Sequence, residues 1–137
     1  MNLPLSDFES GYKDTRPKEI ISREKLNRHI AKNGDNCLVR QLKIDGCVIT
    51  DNIKKCDYLV LNDDKCTAYF NELKGSDISV AIEQIEQTVE RLKKDLLNYD
   101  KKLRIVYSGK VGSGTIAKWK IKNKNANAGR RTYTDYI

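Results

Sequence analysis

The spacing of hydrophobic and polar residues changes several times along this 137-residue chain. After Gly75-Ser76, apolar residues recur at intervals of 4, 3, 4, 3 and 4, namely Ile78, Ile82, Ile85, Val89, Leu92 and Leu96. This spacing predicts a helix with one apolar stripe, capped by Ser76 or Asp77. The apolar run from Leu103 to Tyr107 then predicts a buried strand. A strand after a crossover helix usually runs parallel to its predecessor.

Before this helix the pattern predicts two antiparallel hairpins. Residues 37–50 alternate, and Asp45-Gly46 supplies the two-residue turn that hairpins favour. This turn sets Ile44 opposite Cys47 and Leu42 opposite Ile49.

The second hairpin combines the apolar run from Asp57 to Leu61, a polar turn from Asn62 to Lys65 and a strand from Thr67 to Leu73. With its turn centred on Asp63-Asp64, this hairpin sets Asp57 opposite Phe70.

The ends of the chain are predicted with one element each. Arg16-Pro17 and Asn33-Gly34 are typical start and stop signals, so residues 17–32 are predicted as a first helix. After Gly114 the chain alternates again, which predicts a strand with Trp119 on its apolar side. Its opposite side would carry a ladder of four lysines, either facing a phosphate backbone or protecting a sheet edge.

The second hairpin gathers the residues with the clearest chemistry. Side chains repeat every two residues on a strand, so Glu72 and Lys74 share a face with Asp57, while Leu73 points the other way, into a core beneath the helix. Two carboxylates can hold a magnesium ion that keeps several waters and binds a phosphate. A lysine beside them can orient the attacking water or meet charge developing on the phosphate.

This order resembles the PD-(D/E)XK nuclease family: Asp57, then Glu72-Leu73-Lys74-Gly75 fifteen residues later, then an amphipathic helix and a strand. The residue before Asp57 is Cys56 rather than the proline of the motif's name. The resemblance covers about residues 17–107 and implies an α/β, restriction-endonuclease-like core. That core has a mixed sheet with antiparallel hairpins, a crossover helix and a parallel following strand.

The resemblance also implies roles for individual residues. Asp57, Glu72 and Lys74 would be catalytic, with Asp57, Glu72 and the backbone carbonyl of Leu73 as ligands of Mg²⁺, or of Mn²⁺ as a substitute. Glu19 or Glu24 from the first helix would add a further acid, and a helix glutamine would be Gln84 or Gln87. Small nucleases of this kind often work as homodimers, which we expect here on the same basis.

The distribution of charge along the chain indicates a binding partner. The chain has a net charge of +7, yet residues 1–100 carry −2 and Lys101–Ile137 carry +9. A segregated basic block favours a polyanion such as nucleic acid. The candidate phosphate-binding residues are Lys110, Lys118, Lys120, Lys122, Lys124, Arg130 and Arg131. Arg130 and Arg131, with nearby tyrosines, would contact nucleic acid or belong to a frayed terminus.

Four further features are interpreted without a catalytic role. The glycine-rich segment 108–114 lacks the spacing of a phosphate-binding Walker loop and is predicted as a loop near the substrate groove. The lone His29 is expected on the surface or against a helix. The four cysteines, spaced by ten, nine and ten residues, are predicted as free thiols on strands. No secretory signal or membrane span is visible, so the expected location is cytoplasmic.

Together these patterns predict a single domain over residues 1–137, with a core at about 17–107 and a basic C-terminal extension at 108–137. The preferred function is metal-dependent endonuclease cleavage of nucleic acid, with DNA favoured over RNA. The alternative is a nucleic-acid-binding or protein-interaction module of the same fold without catalysis. Whether Asp57 and Glu72 converge closely enough to share a cation separates the two.

Overall fold

The computed structural model describes residues 14–44, 55–74, 77–111 and 113–137. The strands are β1 (Asp14–Thr15), β2 (Glu19–Glu24), β3 (Asn27–Lys32), β4 (Val39–Lys43), β5 (Tyr58–Asn62), β6 (Thr67–Lys74), β7 (Asp100–Tyr107), β8 (Ala126–Arg130) and β9 (Thr132–Tyr136). The helices are α1 (Ile78–Arg91) and α2 (Ser113–Lys122).

Within the described residues, the strands form two sheets, which makes this an α/β fold with a mixed main sheet. The main sheet has the order β1-β4-β5-β6-β7-β8, and the second has the order β2-β3-β9. Pairing is antiparallel from β1 to β6 and parallel from β6 to β8. The helix α1 joins the parallel strands β6 and β7, as the sequence predicts.

Two apolar clusters separate three layers. Phe70 and Leu59 of the main sheet pack with Ile85 of α1 and Trp119 of α2. On the other face, Val60 and Tyr69 pack with Ile20 and Ala31 of the second sheet, together with Ile137. The helices therefore cover one face of the main sheet, and the three-stranded sheet covers the other.

The predicted hairpin of β5 and β6 is confirmed, with a shift in register. Leu59 pairs with Phe70, and Asn62 pairs with Thr67, so the turn spans four residues rather than two. The side chain of Asn62 accepts a hydrogen bond from the backbone of Lys65 and supports this longer turn. Because the shift is two residues, Asp57 keeps its predicted face.

The helix α1 is also confirmed. Its N-cap is Asp77, whose Oδ1 accepts a hydrogen bond from the backbone of Val80. The helix ends at Arg91, and the chain continues as turns in which Leu92 and Leu96 are buried in the same cluster.

The helix predicted for residues 17–32 is wrong, because this segment forms the hairpin of β2 and β3. Burial along β2 and β3 has a period of two, with Ile20, Ser22, Asn27, His29 and Ala31 buried. A period of two is the signature of a strand with one buried face.

The strand predicted after Gly114 is also wrong, because residues 113–122 form α2. Ile116 and Trp119 pack against the core at a spacing of three, which brings side chains to one face of a helix. The loop predicted for residues 108–114 is therefore shorter, and Gly112 lies outside the described residues.

The C-terminus is not frayed. Residues 132–136 form β9, which pairs in parallel with β3, and Ile137 is buried. The segment after Tyr107 thus supplies strands to both sheets.

Three of the cysteines are free but lie outside the strands. Cys37 precedes β4, Cys56 precedes β5 and the exposed Cys66 lies in the turn before β6. Cys47 and the predicted Asp45-Gly46 turn lie outside the described residues. Within the described part of the chain, no helix is long and apolar enough to cross a membrane.

Candidate active site

A cleft of about 630 Å³ opens at the end of the main sheet where β6 and β7 finish. It is lined by Glu24, Lys25, Leu26, Asn27, Lys43, Asp57, Glu72, Leu73, Lys74, Gln84 and Ser108. All three predicted catalytic residues are among them. The other lining residues come from the β2–β3 hairpin, the end of β4, the helix α1 and the position after β7.

Backbone pairing brings Asp57 to the end of β6. The backbone N–H of Asp57 donates to the carbonyl of Asn71 at 3.1 Å, which extends the antiparallel pairing by one residue. In return, Oδ2 of Asp57 accepts a hydrogen bond from the backbone N–H of Leu73 at 2.9 Å. The carboxylate of Asp57 is therefore fixed beside the Glu72-Leu73-Lys74 segment.

Glu72 points to the helix-covered face of the sheet and is only 2% exposed. Its strand neighbours of the same parity, Ala68 and Phe70, belong to the core under α1. Leu73 is buried on the opposite face, which corrects the prediction that it lies beneath the helix. A carboxylate is costly to bury, so this position calls for compensating groups or a cation.

The negative charges of Asp57 and Glu72 both influence the thiol of Cys56. Burial raises the pKa of Cys56 well above its usual value, and the negative charges of Glu72 and Asp57 raise it further. The two acids therefore create one electronegative region at the start of β5. Such a region favours a bound cation.

Two amide side chains in the cleft each donate a hydrogen bond through their nitrogen to a backbone carbonyl. Nδ2 of Asn27 donates to the carbonyl of Lys74 at 3.1 Å, and Nε2 of Gln84 donates to the carbonyl of Lys55 at 3.1 Å. The oxygens of both amides are buried and have no hydrogen-bond partner within the described residues. A buried oxygen without a partner costs about 1–3 kcal/mol, which a bound water or hydrated ion would offset.

The cleft separates the alternatives left open by the sequence. Glu24 lines it, whereas Glu19 pairs with Lys32 at 2.7 Å and lines a different cavity. Gln84 lines it, whereas Gln87 donates to Glu83 on the helix surface. The acid and glutamine of interest are thus Glu24 and Gln84, with Glu24 on a hairpin rather than a helix.

The donor set fits a metal that keeps much of its water. Within residues 14–44, 55–74, 77–111 and 113–137, no group of three or more His, Cys, Asp or Glu could hold a metal ion. Magnesium is usually bound through one or two carboxylates and retains several waters, so Asp57 and Glu72 would be enough acids for such an ion.

Sequence reasoning missed four residues of the cleft: Lys25, Leu26, Asn27 and Lys43. Lys25 and Leu26 form the β2–β3 turn and Asn27 begins β3, so the helix prediction hid all three. Lys43 ends β4 and pairs with Tyr58, so its place beside Asp57 follows from a strand pairing that the sequence did not predict.

The seven predicted phosphate-binding residues are exposed but do not form one surface. Arg130 is in register with Tyr107, and Tyr107 with Lys74, so Arg130 lies two strands from Lys74, about 10 Å away. The backbone carbonyl of Arg131 accepts a hydrogen bond from Arg28 of the β2–β3 hairpin. These arginines therefore lie at the end of the sheet that carries the cleft.

The remaining lysines are distributed differently. Lys110 follows β7 at the cleft end. The helix α2 returns the chain from the end of β7 to the start of β8, so Lys122 and Lys124 lie at the opposite end of the sheet. Lys118 and Lys120 are two positions apart on a helix and point in different directions. The predicted ladder of lysines on one face is therefore wrong.

His29 is buried rather than on the surface or against a helix. Its Nε2 lies 2.8 Å from Oδ2 of Asp135, and its Nδ1 lies 3.2 Å from Nδ2 of Asn71. Arg104 holds the same aspartate with two hydrogen bonds, at 2.7 and 3.0 Å. This network joins β9 to β3, β6 and β7, so His29 has a structural position.

Comparisons with protein-family models, curated proteins and solved structures found no match to this chain.

Proposed function

We propose that this chain is a metal-dependent nuclease of the PD-(D/E)XK kind that hydrolyses phosphodiester bonds, with DNA preferred over RNA. The observation that carries the proposal is the hydrogen bond from the backbone of Leu73 to the carboxylate of Asp57 at 2.9 Å. It joins residues 16 positions apart and brings Asp57 to the strand end that carries Glu72 and Lys74, beside an open cleft.

The order of elements supports a restriction-endonuclease-like core. An antiparallel unit of β4, β5 and β6 is followed by a crossover helix and the parallel strand β7. The helix that the resemblance implies before this unit is replaced by the β2–β3 hairpin. The proposal therefore depends on residues 39–107, where order and direction agree with the resemblance.

Asp57, Glu72 and the backbone carbonyl of Leu73 would hold Mg²⁺, with Mn²⁺ as a substitute. A bound divalent ion lowers the pKa of its water and neutralises charge on the phosphate. The ammonium group of Lys74 would orient the attacking water and stabilise the negative charge that grows on the phosphoryl oxygens. Gln84 and Asn27 offer amide oxygens that can accept hydrogen bonds from ordered water.

The cationic rim supports a nucleic-acid substrate over a small phosphoester. Lys25, Lys43 and Lys74 line the cleft, and Arg130 and Arg131 lie at the same end of the sheet. Basic side chains gathered at one end of a sheet can contact the phosphates of a nucleic-acid backbone.

The same rim favours a second function, binding of nucleic acid without cleavage. This function requires the basic residues but neither carboxylate.

The deciding experiment compares wild type, Lys74→Ala and Lys94→Ala on plasmid, single-stranded DNA and RNA, with Mg²⁺, Mn²⁺ or EDTA. Lys94 is an exposed lysine between α1 and β7, at the other end of the sheet. We expect cleavage by wild type and Lys94→Ala with either metal, none with EDTA, and a loss of about 100-fold or more for Lys74→Ala. Binding without cleavage under every condition would instead establish the second function.

A further inference from the structure

The tip of the β2–β3 hairpin presents an apolar side chain at the rim of the cleft. Leu26 lies in the two-residue turn between β2 and β3, is 70% exposed and lines the cleft that holds Asp57 and Glu72. A single exposed leucine is ordinary on a protein surface. Leu26 differs from an ordinary exposed leucine in two respects: hydrogen bonds fix the turn in which it lies, and basic residues surround it.

Hydrogen bonds fix the hairpin tip to β6, to β5 and to the turn between β8 and β9. Nδ2 of Asn27 donates to the carbonyl of Lys74 at 3.1 Å, and the hydroxyl of Tyr58 donates to the carbonyl of Arg23 at 3.2 Å. On the other side, the backbone N–H of Arg28 donates to the carbonyl of Arg131 at 2.8 Å. Leu26 is thus held at one place beside β6, and a preorganised contact residue loses less entropy on binding.

Basic side chains surround this leucine. Residues 23–28 contain Arg23, Lys25 and Arg28 against one acid, Glu24. Arg23 and Lys25 are exposed, and Arg28 is half-buried. A surface that docks another protein usually has a contiguous apolar patch with fewer charges at its centre, whereas one apolar side chain among cations suits nucleic acid, in which flat apolar bases lie close to phosphates.

We propose that the hairpin tip is a wedge, in which Leu26 packs against exposed bases next to the phosphodiester held in the cleft. Arg23, Lys25 and Arg28 contact the flanking phosphates. This inference rests on the proposed function, because it takes the cleft as the place of the reacting phosphate. Apolar wedges of this kind partially unstack base steps in other nucleic-acid-binding proteins.

The wedge defines a substrate class. Separating stacked, paired bases costs a few kcal/mol per step, and the cost is least where bases are already unpaired. Single strands and the junctions of forked DNA therefore fit this cleft better than continuous duplex.

Fluorescence of 2-aminopurine, which rises on unstacking, tests the wedge without any cleavage. The probe is placed at the junction of a forked DNA, within a single strand and within a continuous duplex, and all binding is measured in EDTA. Wild type is compared with Leu26→Ala, Leu26→Met and Leu97→Ala. Leu97 is a matched control because it is also 70% exposed but lies between α1 and β7, at the opposite end of the sheet.

We expect wild type, Leu26→Met and Leu97→Ala to raise the fluorescence of the forked DNA. Leu26→Ala should lose most of this signal and about fivefold in affinity for forked and single-stranded DNA, with duplex affinity unchanged. An equal fluorescence rise with Leu26→Ala, or an equal loss of affinity on all three DNAs, would overturn the wedge.

Cleavage assays in Mg²⁺ keep this result separate from the proposed function. A protein that cleaves but shows no dependence on Leu26 is a nuclease without the wedge. A protein that unstacks the fork through Leu26 but cleaves nothing has the wedge without the nuclease.

Discussion

The two ends of β5 each carry an aspartate, and the fold treats them in opposite ways. Asp63, just after the strand, receives two hydrogen bonds from Arg40 at 2.6 and 2.7 Å and one from the hydroxyl of Tyr99 at 2.5 Å. Asp57, just before the strand, accepts a backbone N–H and lies in an open cleft with Glu72 and Lys74. One end of the sheet pairs its charge with arginine, and the other concentrates two acids beside lysines.

The end of β5 that carries Asp63 is therefore arranged to stabilise the fold, and we propose that the end that carries Asp57 is arranged to bind a cation. The pKa of Tyr99 rises to about 12, first through burial and then through its hydrogen bond with Asp63, so the Tyr99 hydroxyl keeps its proton as a donor. At the cleft end, burial raises the pKa of Cys56, and the charges of Glu72 and Asp57 raise it further. Clustered like charges destabilise a fold, and they persist at sites that bind an opposite charge.

The largest expected effect is at the cleft end. The double substitution Asp57→Asn with Glu72→Gln should lower the cleavage rate by at least about 10³-fold, or about 4 kcal/mol, because it removes both metal-holding carboxylates. Both substitutions keep the size of the side chain, so the melting temperature should stay high enough for the variant to be folded in the assay. Gel assays of cleavage and thermal melts measure both quantities, and a rate within tenfold of wild type would contradict the proposed site.

The opposite end should respond in stability instead. Asp63→Asn removes the carboxylate that accepts two hydrogen bonds from the buried guanidinium of Arg40, and we expect the free energy of unfolding to fall by about 3 kcal/mol. Urea denaturation measures this loss, and the cleavage rate per folded molecule should stay unchanged.

The matched control for Asp63 is Asp35→Asn. Asp35 pairs with Lys65 at 2.6 Å, but solvent reaches both side chains, so the loss of this pair should leave the melting temperature unchanged. Equal destabilisation by Asp35→Asn and Asp63→Asn would remove the distinction between a buried pair and an exposed one.

Much of the central sheet was predictable, because its residues follow one period at a time. The stripe from Ile78 to Leu96 predicts α1, and the apolar run after Asp57 predicts β5. The register of β5 and β6 was off by two residues, since turn length depends on a side-chain contact of Asn62. The prediction that Asp57 and Glu72 share a face of the sheet is unaffected by this shift, because side chains on strands alternate with a period of two.

The second sheet was not predictable in the same way. Its strands β2 and β3 bury polar residues, Ser22, Asn27 and His29, so hydrophobicity alone shows little alternation. Ser22 and His29 hydrogen-bond with distant partners, Asn71 and Asp135, that no local pattern reveals. The tip of this hairpin supplies Leu26 and Asn27 to the cleft, so missing the strands also meant missing part of the site.

A third prediction concerns the buried network behind the cleft. Burial alone would raise the pKa of Asp135, but hydrogen bonds from His29 and Arg104, with the charge of Arg104, outweigh it and lower the pKa. A lowered pKa in the folded state stabilises the fold above the unfolded value of about 3.9, and this contribution is lost as the pH falls through the folded pKa. The free energy of unfolding should therefore fall with the pH below about 4.

The substitution Asp135→Asn isolates this contribution. At pH 7 it should destabilise the protein by about 2 kcal/mol, because Arg104 and His29 lose an ionised partner. The difference from wild type should narrow as the pH falls from about 4 toward the lowered pKa of folded Asp135, because this carboxylate then takes up a proton. A difference that stays constant from pH 7 to pH 3 in urea titrations would show that the charge of Asp135 is not the cause.

The smallest expected effect compares two glutamines one helical turn apart on α1. Gln84 reaches the cleft, whereas Gln87 contacts Glu83 on the helix surface. If Gln84 supports the water around a bound ion, Gln84→Ala should raise the Mg²⁺ concentration for half-maximal cleavage about tenfold, and Gln87→Ala should leave it unchanged. Gln84→Ala removes the hydrogen bond from Nε2 to the carbonyl of Lys55, but also a buried oxygen that has no hydrogen-bond partner within the described residues. These opposite changes should leave the melting temperature close to that of wild type. A parallel loss of melting temperature and Mg²⁺ affinity would instead make Gln84 a residue that stabilises the fold through Lys55, and the two ends of the sheet would then differ less than their geometry indicates.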